Sequence, residues 1–278
     1  MASFVESLPV ASPEEAAALV AAAMPKPVAG VAEAGADTGV QIEAARVPKP
    51  GSVIERWPVK TFQDDDTEKV RKKIVDTTIS DLGAFDRPDG WDEASKDPPE
   101  ELRRTRDAPA ETTIWRVKAN IVGLRLEADR DYHLELQDDS GAMMIAEIPI
   151  PQVRYIGKDN PLADDIQAAR DAIDEQFNKK VQAETFTLSE VTQKLVPVQA
   201  VAPRAGGGVS VEEVAVPDLK ALTAESDDNL VEVESFSTRV DPTPVTITGI
   251  GFFDKGHGQA GSAPNYIELH PTIKIEFD

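Results

Sequence analysis

Apolar and polar residues alternate along much of the second half of the chain, as they do in β-strands with one buried face. Residues 115–119 alternate in one phase, and the apolar phase shifts by one residue at Gly123. A shift at a glycine is typical of a β-bulge, which lets a long strand curl around a barrel. Residues 131–139 and 142–151 repeat the alternation. The pattern therefore predicts three consecutive strands.

The next segment changes to helical spacing and is followed by more alternation. Its apolar residues recur every three or four positions: Leu162, Ile166, Ala169, Ile173 and Phe177. Residues 244–254 and 267–277 then return to the strand pattern. Three strands, a helix and two strands follow one another in the order of the OB fold.

We therefore predict a mainly β fold, an OB-like five-stranded barrel with one helix over residues 111–278. A long mobile insertion is expected at about residues 181–242, where Gly-rich and acidic-Val runs interrupt the pattern. The expected core takes one side chain from each strand: Trp115, Leu134, Ile145, Ile247 and Ile275.

Two segments of different composition precede the barrel. Residues 1–52 are rich in Ala, Pro and acidic residues and predict a flexible arm. A capping Ser12 followed by Pro13 predicts one short helix within the arm, ending near Met24. Residues 53–110 are punctuated by Pro and Gly and predict an extended lead-in that wraps the barrel, with a short helix over residues 64–74.

Charge and cysteine content exclude several classes of protein. The formal net charge is -21, which disfavours nucleic-acid binding because that affinity comes largely from Lys and Arg. The chain has no cysteine, so disulfides and thiolate metal sites are excluded. Its N-terminus has no basic segment before a short apolar run, and no stretch is long enough to span a membrane. We expect a cytoplasmic protein, or part of an assembly released from the cell.

The candidate chemistry is concentrated in three histidines and the polar residues near them. Asp254, His257, Gln259 and Asn265 crowd one Gly-rich loop and form a candidate binding site. A structural role for this loop is the other interpretation, because such side chains satisfy backbone groups in tight turns. The loop and the strands beside it contain no dinucleotide or phosphate-binding glycine motif, and the sequence predicts no cofactor.

A metal or catalytic site is the alternative interpretation of the histidines. His257, Glu268 and His270 could ligate a zinc- or manganese-like ion, since imidazole and carboxylate suit those ions. His133 and Glu147 could act with His257 as a catalytic set or support the ligands. A structural hydrogen-bond network among these residues is favoured over either site.

Two segments, DYHLELQDDSGAMMIAEIP and VTITGIGFFDKGHGQAGSAPNYIELHP, carry a resemblance to a known family. They resemble an uncharacterised family of small bacterial proteins that share a closing block of the form Gly-Phe-Phe-Asp, His-Gly-Gln, Ala-Pro-Asn and Ile-Glu-Leu-His-Pro. The resemblance covers residues 115–277 apart from the insertion. It supports the extent of the barrel and implies no activity.

The sequence predicts a non-enzymatic binding or assembly module. Its arm and insertion would dock to a protein partner or to a second copy of the chain, because such appendages commonly attach a barrel to a larger assembly. The alternative is a metal-dependent hydrolase, a nuclease-like effector that uses the His and Glu residues of the barrel.

Overall fold

The computed structural model describes residues 3–24, 55–91, 97–127, 129–185, 195–203, 209–217, 236–256 and 261–278. The helices in these ranges are α1 (Pro13–Ala23), α2 (Trp57–Lys60), α3 (Ile79–Gly83), α4 (Val153–Ile156) and α5 (Ala163–Thr185). The strands are β1 (Ile74–Asp76), β2 (Ile114–Leu126), β3 (Tyr132–Gln137), β4 (Met143–Ile148), β5 (Leu195–Pro203), β6 (Val209–Pro217), β7 (Phe236–Phe253) and β8 (Ile267–Phe277). In these ranges, every helix is too short or too polar to cross a membrane.

Five of these strands close into a barrel. They pair in the order β2–β3–β4–β8–β7, and β7 returns to β2. The β4–β8 pairing is parallel, whereas the other four are antiparallel. Strand β1 pairs in parallel with the N-terminal end of β2 as an extra strand. The predicted mainly β, OB-like barrel is confirmed.

The predicted bulge lies in β2. The pairing of β2 with both β3 and β7 shifts register between Ile121 and Gly123. A Cβ atom at Gly123 would lie 2.8 Å from Cδ of Glu135, so a larger residue would have to displace the Glu135 side chain. The bulge lets one strand of 13 residues contribute to both sides of the barrel.

The predicted insertion is shorter at its C-terminal end than expected. Strand β7 begins at Phe236, because residues 236–239 pair with the part of β2 beyond its bulge. At the other end, α5 continues to Thr185. Between them, β5 and β6 form an antiparallel pair from Leu195↔Pro217 to Pro203↔Val209. Residues 186–194, 204–208 and 218–235 lie outside the described residues.

The core fills the barrel and continues beneath α5. Trp115, Leu134, Ile247 and Ile275 belong to it, as predicted. The apolar face of α5 is fully buried against the same core, as is Leu162 just before the helix; that face consists of Ile166, Ala169, Ile173 and Phe177. The expectation for Ile145 was wrong. Ile145 is buried, but it pairs with Glu135 on the outward-facing side of the sheet, whereas Ala146 faces the core.

The described part of the N-terminal arm packs against its own barrel. Helix α1 begins with the predicted cap, in which Ser12 and Glu15 satisfy each other's backbone N–H groups. The N–H groups of Phe4 and Val5 donate to the carboxylate of Asp165 at 3.0 and 3.3 Å. The expectation of a free, flexible arm is therefore wrong for residues 3–24. Residues 25–52 lie outside the described residues.

Two buried ion pairs fix the lead-in: one lies within it, and the other joins it to Glu111 at the start of the barrel segment. Arg106 pairs with Asp64 at 2.7 Å, and Arg56 pairs with Glu111 at 2.6 Å, with all four side chains at most 1% exposed. The helix predicted over residues 64–74 is absent; Asp64 accepts the N–H of Asp66 and pairs with Arg106. A single 3-10 turn at Thr67–Lys69 takes its place before β1.

Asp107, beside this second pair, gives a prediction of pH dependence. Burial, and then the charge of Glu111, raise the pKa of Asp107 from 3.8 to about 6. Between these values the folded chain binds more protons than the unfolded chain, so the contribution of Asp107 to stability falls as pH rises. We expect Asp107→Asn to be more stable than the wild type above pH 6, with the difference disappearing below about pH 4. Urea denaturation at several pH values measures this, and an equal difference at every pH would contradict it.

Candidate metal centre

Three polar side chains form a row across adjacent strands of the barrel. His133 on β3 is paired directly with Glu147 on β4. On the other side, Ala146 pairs with Leu269 of β8, so His270 takes the next position beside Glu147. Successive residues of a strand face opposite sides. Since Leu134, Ala146 and Leu269 face the core, the row lies on the outer face of the barrel wall.

Glu147 contacts a different imidazole with each of its carboxylate oxygens. Oε1 lies 2.9 Å from Nδ1 of His133 in a hydrogen bond. Oε2 lies 2.8 Å from Nδ1 of His270. Both imidazoles are 0% exposed and Glu147 is 3% exposed, although the row is on the outer wall. Other parts of the chain must therefore cover it.

One of these covering segments is the acidic turn between β2 and β3. Oε1 of Glu127 lies 3.2 Å from Nδ1 of His133. Oδ2 of Asp131 lies 3.4 Å from Nε2 of His270, and its other oxygen accepts the N–H of Ile150. The turn thus gives each imidazole a second carboxylate, from a different residue in each case.

The lead-in supplies the rest of the cover. Nζ of Lys60, at the end of α2, lies 3.6 Å from Oε2 of Glu147 and 3.9 Å from Oδ1 of Asp254. The ring of Phe252 packs beneath both Lys60 and His270, with its centroid 5.5 Å from the ammonium and 5.6 Å from the imidazole centroid. The site is enclosed between the barrel wall and α2.

We define the Glu147 cluster as the polar residues of this site whose charges shift one another's pKa. Its members are Lys60, Glu127, Asp129, Asp131, His133, Glu147, Asp254, Glu268 and His270. The cluster holds six carboxyl groups, two imidazoles and one ammonium group. Unless it is offset by protons or cations, so much negative charge is costly in a buried site.

The carboxyl groups at the edge of the cluster respond to this excess charge. Burial raises the pKa of Glu268 well above its ordinary value, and the charges of Glu147 and Asp254 raise it further. Burial raises the pKa of Asp129 in the same way, with Asp131 adding to the effect. Both groups therefore retain a proton more readily than ordinary carboxyl groups.

The central groups are charged, in contrast. Burial alone would lower the pKa of His133, but Glu127 and Glu147 outweigh it and raise this pKa to about 9. Burial would also lower the pKa of His270, and the charge of Glu147 raises it instead. Burial would raise the pKa of Glu147, but Lys60 and His270 hold it well below its ordinary value. The centre of the cluster is a negative carboxylate surrounded by positive groups.

Several buried polar atoms of the cluster have no hydrogen-bond partner among the described residues. They are Nε2 of His133, Oε2 of Glu147, Oε2 of Glu268 and both ring nitrogens of His270. Buried polar atoms are rarely left in this state, so an additional ligand is a reasonable explanation. Two sets of side chains could supply a metal ion with three ligands each: Glu127, His133 and Glu147, and Asp131, Glu147 and His270.

The structure brings together most of the site residues expected from the sequence. His133, Glu147, Asp254, Glu268 and His270 all belong to the cluster. His257 and Gln259 lie outside the described residues.

Asn265 lies apart from the cluster and has a structural role. Its amide donates to the carbonyls of Leu82 and Phe85, and its Oδ1 accepts the N–H of Ile267.

Sequence reasoning missed Lys60, Glu127, Asp129 and Asp131. The signal for the last three was the acidic run just before the His133 strand. Lys60 carries no sequence signal, because it is far from the histidines along the chain.

Comparison with protein-family models, with curated proteins and with solved structures found no match. The resemblance to a bacterial family stays a prediction, and the function has to be argued from the cluster itself.

Proposed function

We propose that this protein is a non-enzymatic binding module whose barrel holds a divalent cation in the Glu147 cluster. The observation that carries the proposal is the contact between Glu147 and His270. Oε2 and Nδ1 are buried and only 2.8 Å apart, but their relative orientation does not meet the geometry of a hydrogen bond. A divalent cation would displace the imidazole proton, and both atoms would then direct a lone pair at the ion.

The chemistry of the side chains favours one class of cation. Imidazole nitrogen together with carboxylate oxygen suits zinc, manganese and iron, whereas magnesium and calcium favour oxygen ligands alone. With the imidazoles acting as neutral ligands, a divalent ion would also offset negative charge that Lys60 and Arg125 leave unbalanced.

The burial of the cluster favours a stably held ion over catalysis. Catalytic metal sites keep a coordination position open to water or substrate, whereas structural sites are closed by the protein. His133, Glu147 and His270 are covered by α2 and by the acidic turn. Lys255, which follows Asp254 in sequence and could serve a catalytic site as a positive charge, is instead paired with Asp97 at 2.6 Å.

The hydrolase alternative has one observation in its favour. The side chain of Glu127 is 21% exposed, so the acidic turn is the most open side of the cluster. Metal-dependent hydrolysis of nucleic acid or esters by the loaded protein would favour this alternative.

The assembly role stays a prediction, and the insertion favours it more than the arm does. Among the described residues, β5 and β6 pair only with each other. A two-stranded sheet is marginally stable alone, so a protein partner or a second copy could complete it. Residues 3–24 of the arm already pack against α5 and β1 of their own chain.

Calorimetric titration of metal-free protein with Zn²⁺ or Mn²⁺ tests the proposal. We expect saturable binding, and we expect the double variant His133→Gln with His270→Gln to weaken it at least roughly 100-fold, beyond the 10–100-fold typical of a residue outside the coordination sphere. Glu276→Gln is the matched control, because it removes an exposed carboxylate from the same strand. Absence of binding to either ion, or equal affinity in the double variant and the control, would contradict the proposal.

A further inference from the structure

We infer that the Glu147 cluster takes two divalent cations and that the carboxylate of Glu147 bridges them. This inference rests on the proposed function and makes it more specific. It explains why the site contains two histidines, each with a carboxylate of its own: Glu127 beside His133 and Asp131 beside His270.

Glu147 divides its contacts between the two histidines. Its Oε1 faces His133 and its Oε2 faces His270, at 2.9 and 2.8 Å. When a carboxylate binds one ion through both oxygens, the other ligands of that ion all surround the same point. A bridging carboxylate instead directs each oxygen to a separate group of ligands, as Glu147 does.

The two groups of side chains around Glu147 match in composition. One consists of His133, Glu127 and a Glu147 oxygen, and the other of His270, Asp131 and the second Glu147 oxygen. Within each group the ligand atoms lie within 4.8 Å of one another. This is close to the span across one ion with ligands at about 2.1 Å. Each half thus provides one imidazole, one carboxylate of its own and one shared oxygen. In the His270 half Asp131 faces Nε2 and Glu147 faces Nδ1, so Asp131 would have to turn toward Nδ1 to reach the same ion.

Charge is compatible with cations in both halves. With both imidazoles acting as neutral ligands, the carboxylates of Glu127, Asp131, Glu147 and Asp254 outnumber the positive groups of Lys60 and Arg125 that pair with them. Divalent cations would offset the negative charge that remains. Bridged pairs of ions about 3.5–4 Å apart are common in metalloproteins, so the arrangement is chemically ordinary.

Lys60 has a defined place in this arrangement. Its ammonium lies 3.6 Å from Oε2 of Glu147, on the side of His270 and Asp131. A positive charge there repels a cation in that half and leaves the His133 half unaffected. We expect Lys60→Met to tighten binding of the second ion more than the first.

Metal stoichiometry tests the inference without any variant. Metal-free protein is dialysed against Mn²⁺ at increasing concentrations, and bound manganese per chain is measured by mass spectrometry. We expect two ions per chain at saturation. The Mn²⁺ resonance spectrum should then lose its resolved six-line pattern as the second ion binds, because neighbouring paramagnetic ions broaden each other.

Variants of the two halves refine the test. His133→Gln and His270→Gln should each retain one ion, whereas Glu276→Gln should retain two. Saturation at one ion that either histidine variant abolishes would mean that Glu147 holds a single ion through both oxygens, and the inference would be wrong. Two ions with unchanged six-line spectra would also overturn it. Absence of any bound ion would refute the proposed function itself.

Discussion

Replacing Glu111 with alanine is expected to lower the free energy of unfolding by about 3–5 kcal/mol, the usual cost of leaving a buried charge unpaired. The carboxylate of Glu111 binds Arg56 at 2.6 and 2.8 Å and accepts the N–H groups of Asp107 and Phe253. Its removal leaves the guanidinium of Arg56 buried beside Phe252 with no counter-charge from Glu111. The same change loosens the lead-in from the barrel, because Arg56 joins the two through Glu111.

Urea denaturation measures this cost against an exposed ion pair of the lead-in. Asp65 pairs with Arg104 at 3.2 Å, and its side chain is 62% exposed. We expect Asp65→Ala to change stability by about 0–1 kcal/mol. The double variant Arg56→Met with Glu111→Leu should recover part of the loss, since it leaves no unpaired charge. A cost for Glu111→Ala no greater than that for Asp65→Ala would show that the pair does not hold the lead-in in place.

Loading the Glu147 cluster is the other large effect. A ligand that binds only the folded chain stabilises it by about 4 kcal/mol at a concentration 1,000 times its dissociation constant. We therefore expect Mn²⁺ or Zn²⁺ to raise the free energy of unfolding by about this amount. Each further tenfold increase in the free cation concentration should add about 1.4 kcal/mol for each ion that is bound.

The control for this effect is a set of variants measured with and without a chelator. The double variant His133→Gln with His270→Gln should lose most of the stabilisation, whereas Glu276→Gln should keep all of it. A wild-type protein with the same denaturation midpoint in chelator and in saturating cation would show that the cluster is an internal network of ion pairs.

Features that depend on neighbours in sequence were predictable. The phase shift at Gly123 identified the bulge because alternation is a local property of a strand, and the apolar spacing of residues 162–177 identified α5 for the same reason. The row of His133, Glu147 and His270 was only partly predictable. Alternation showed that these residues face away from Leu134 and Leu269, but not that α2 and the acidic turn cover them.

Features set by distant contacts were not predictable. Lys60 reaches Glu147 and Asp254 only because the lead-in folds back over the outer wall. Ile145 was placed in the core because it is apolar, yet the outer wall is itself buried under that cover. The arm was expected to be free because it is rich in alanine. The backbone pairing of Pro9 and Ala11 with Ile74, which ties it to β1, leaves no pattern in the side chains.

The most direct measurement of the central claim is anomalous X-ray scattering from crystals of the manganese- or zinc-loaded protein. We expect an anomalous peak beside the carboxylate of Glu147, at about 2.0–2.2 Å from a ring nitrogen of His270 and a carboxylate oxygen. A second peak should lie beside His133. A cluster without any anomalous peak, in which Lys60, Glu147 and the two imidazoles keep their direct contacts in loaded crystals, would contradict the claim that the barrel is built to hold divalent cations.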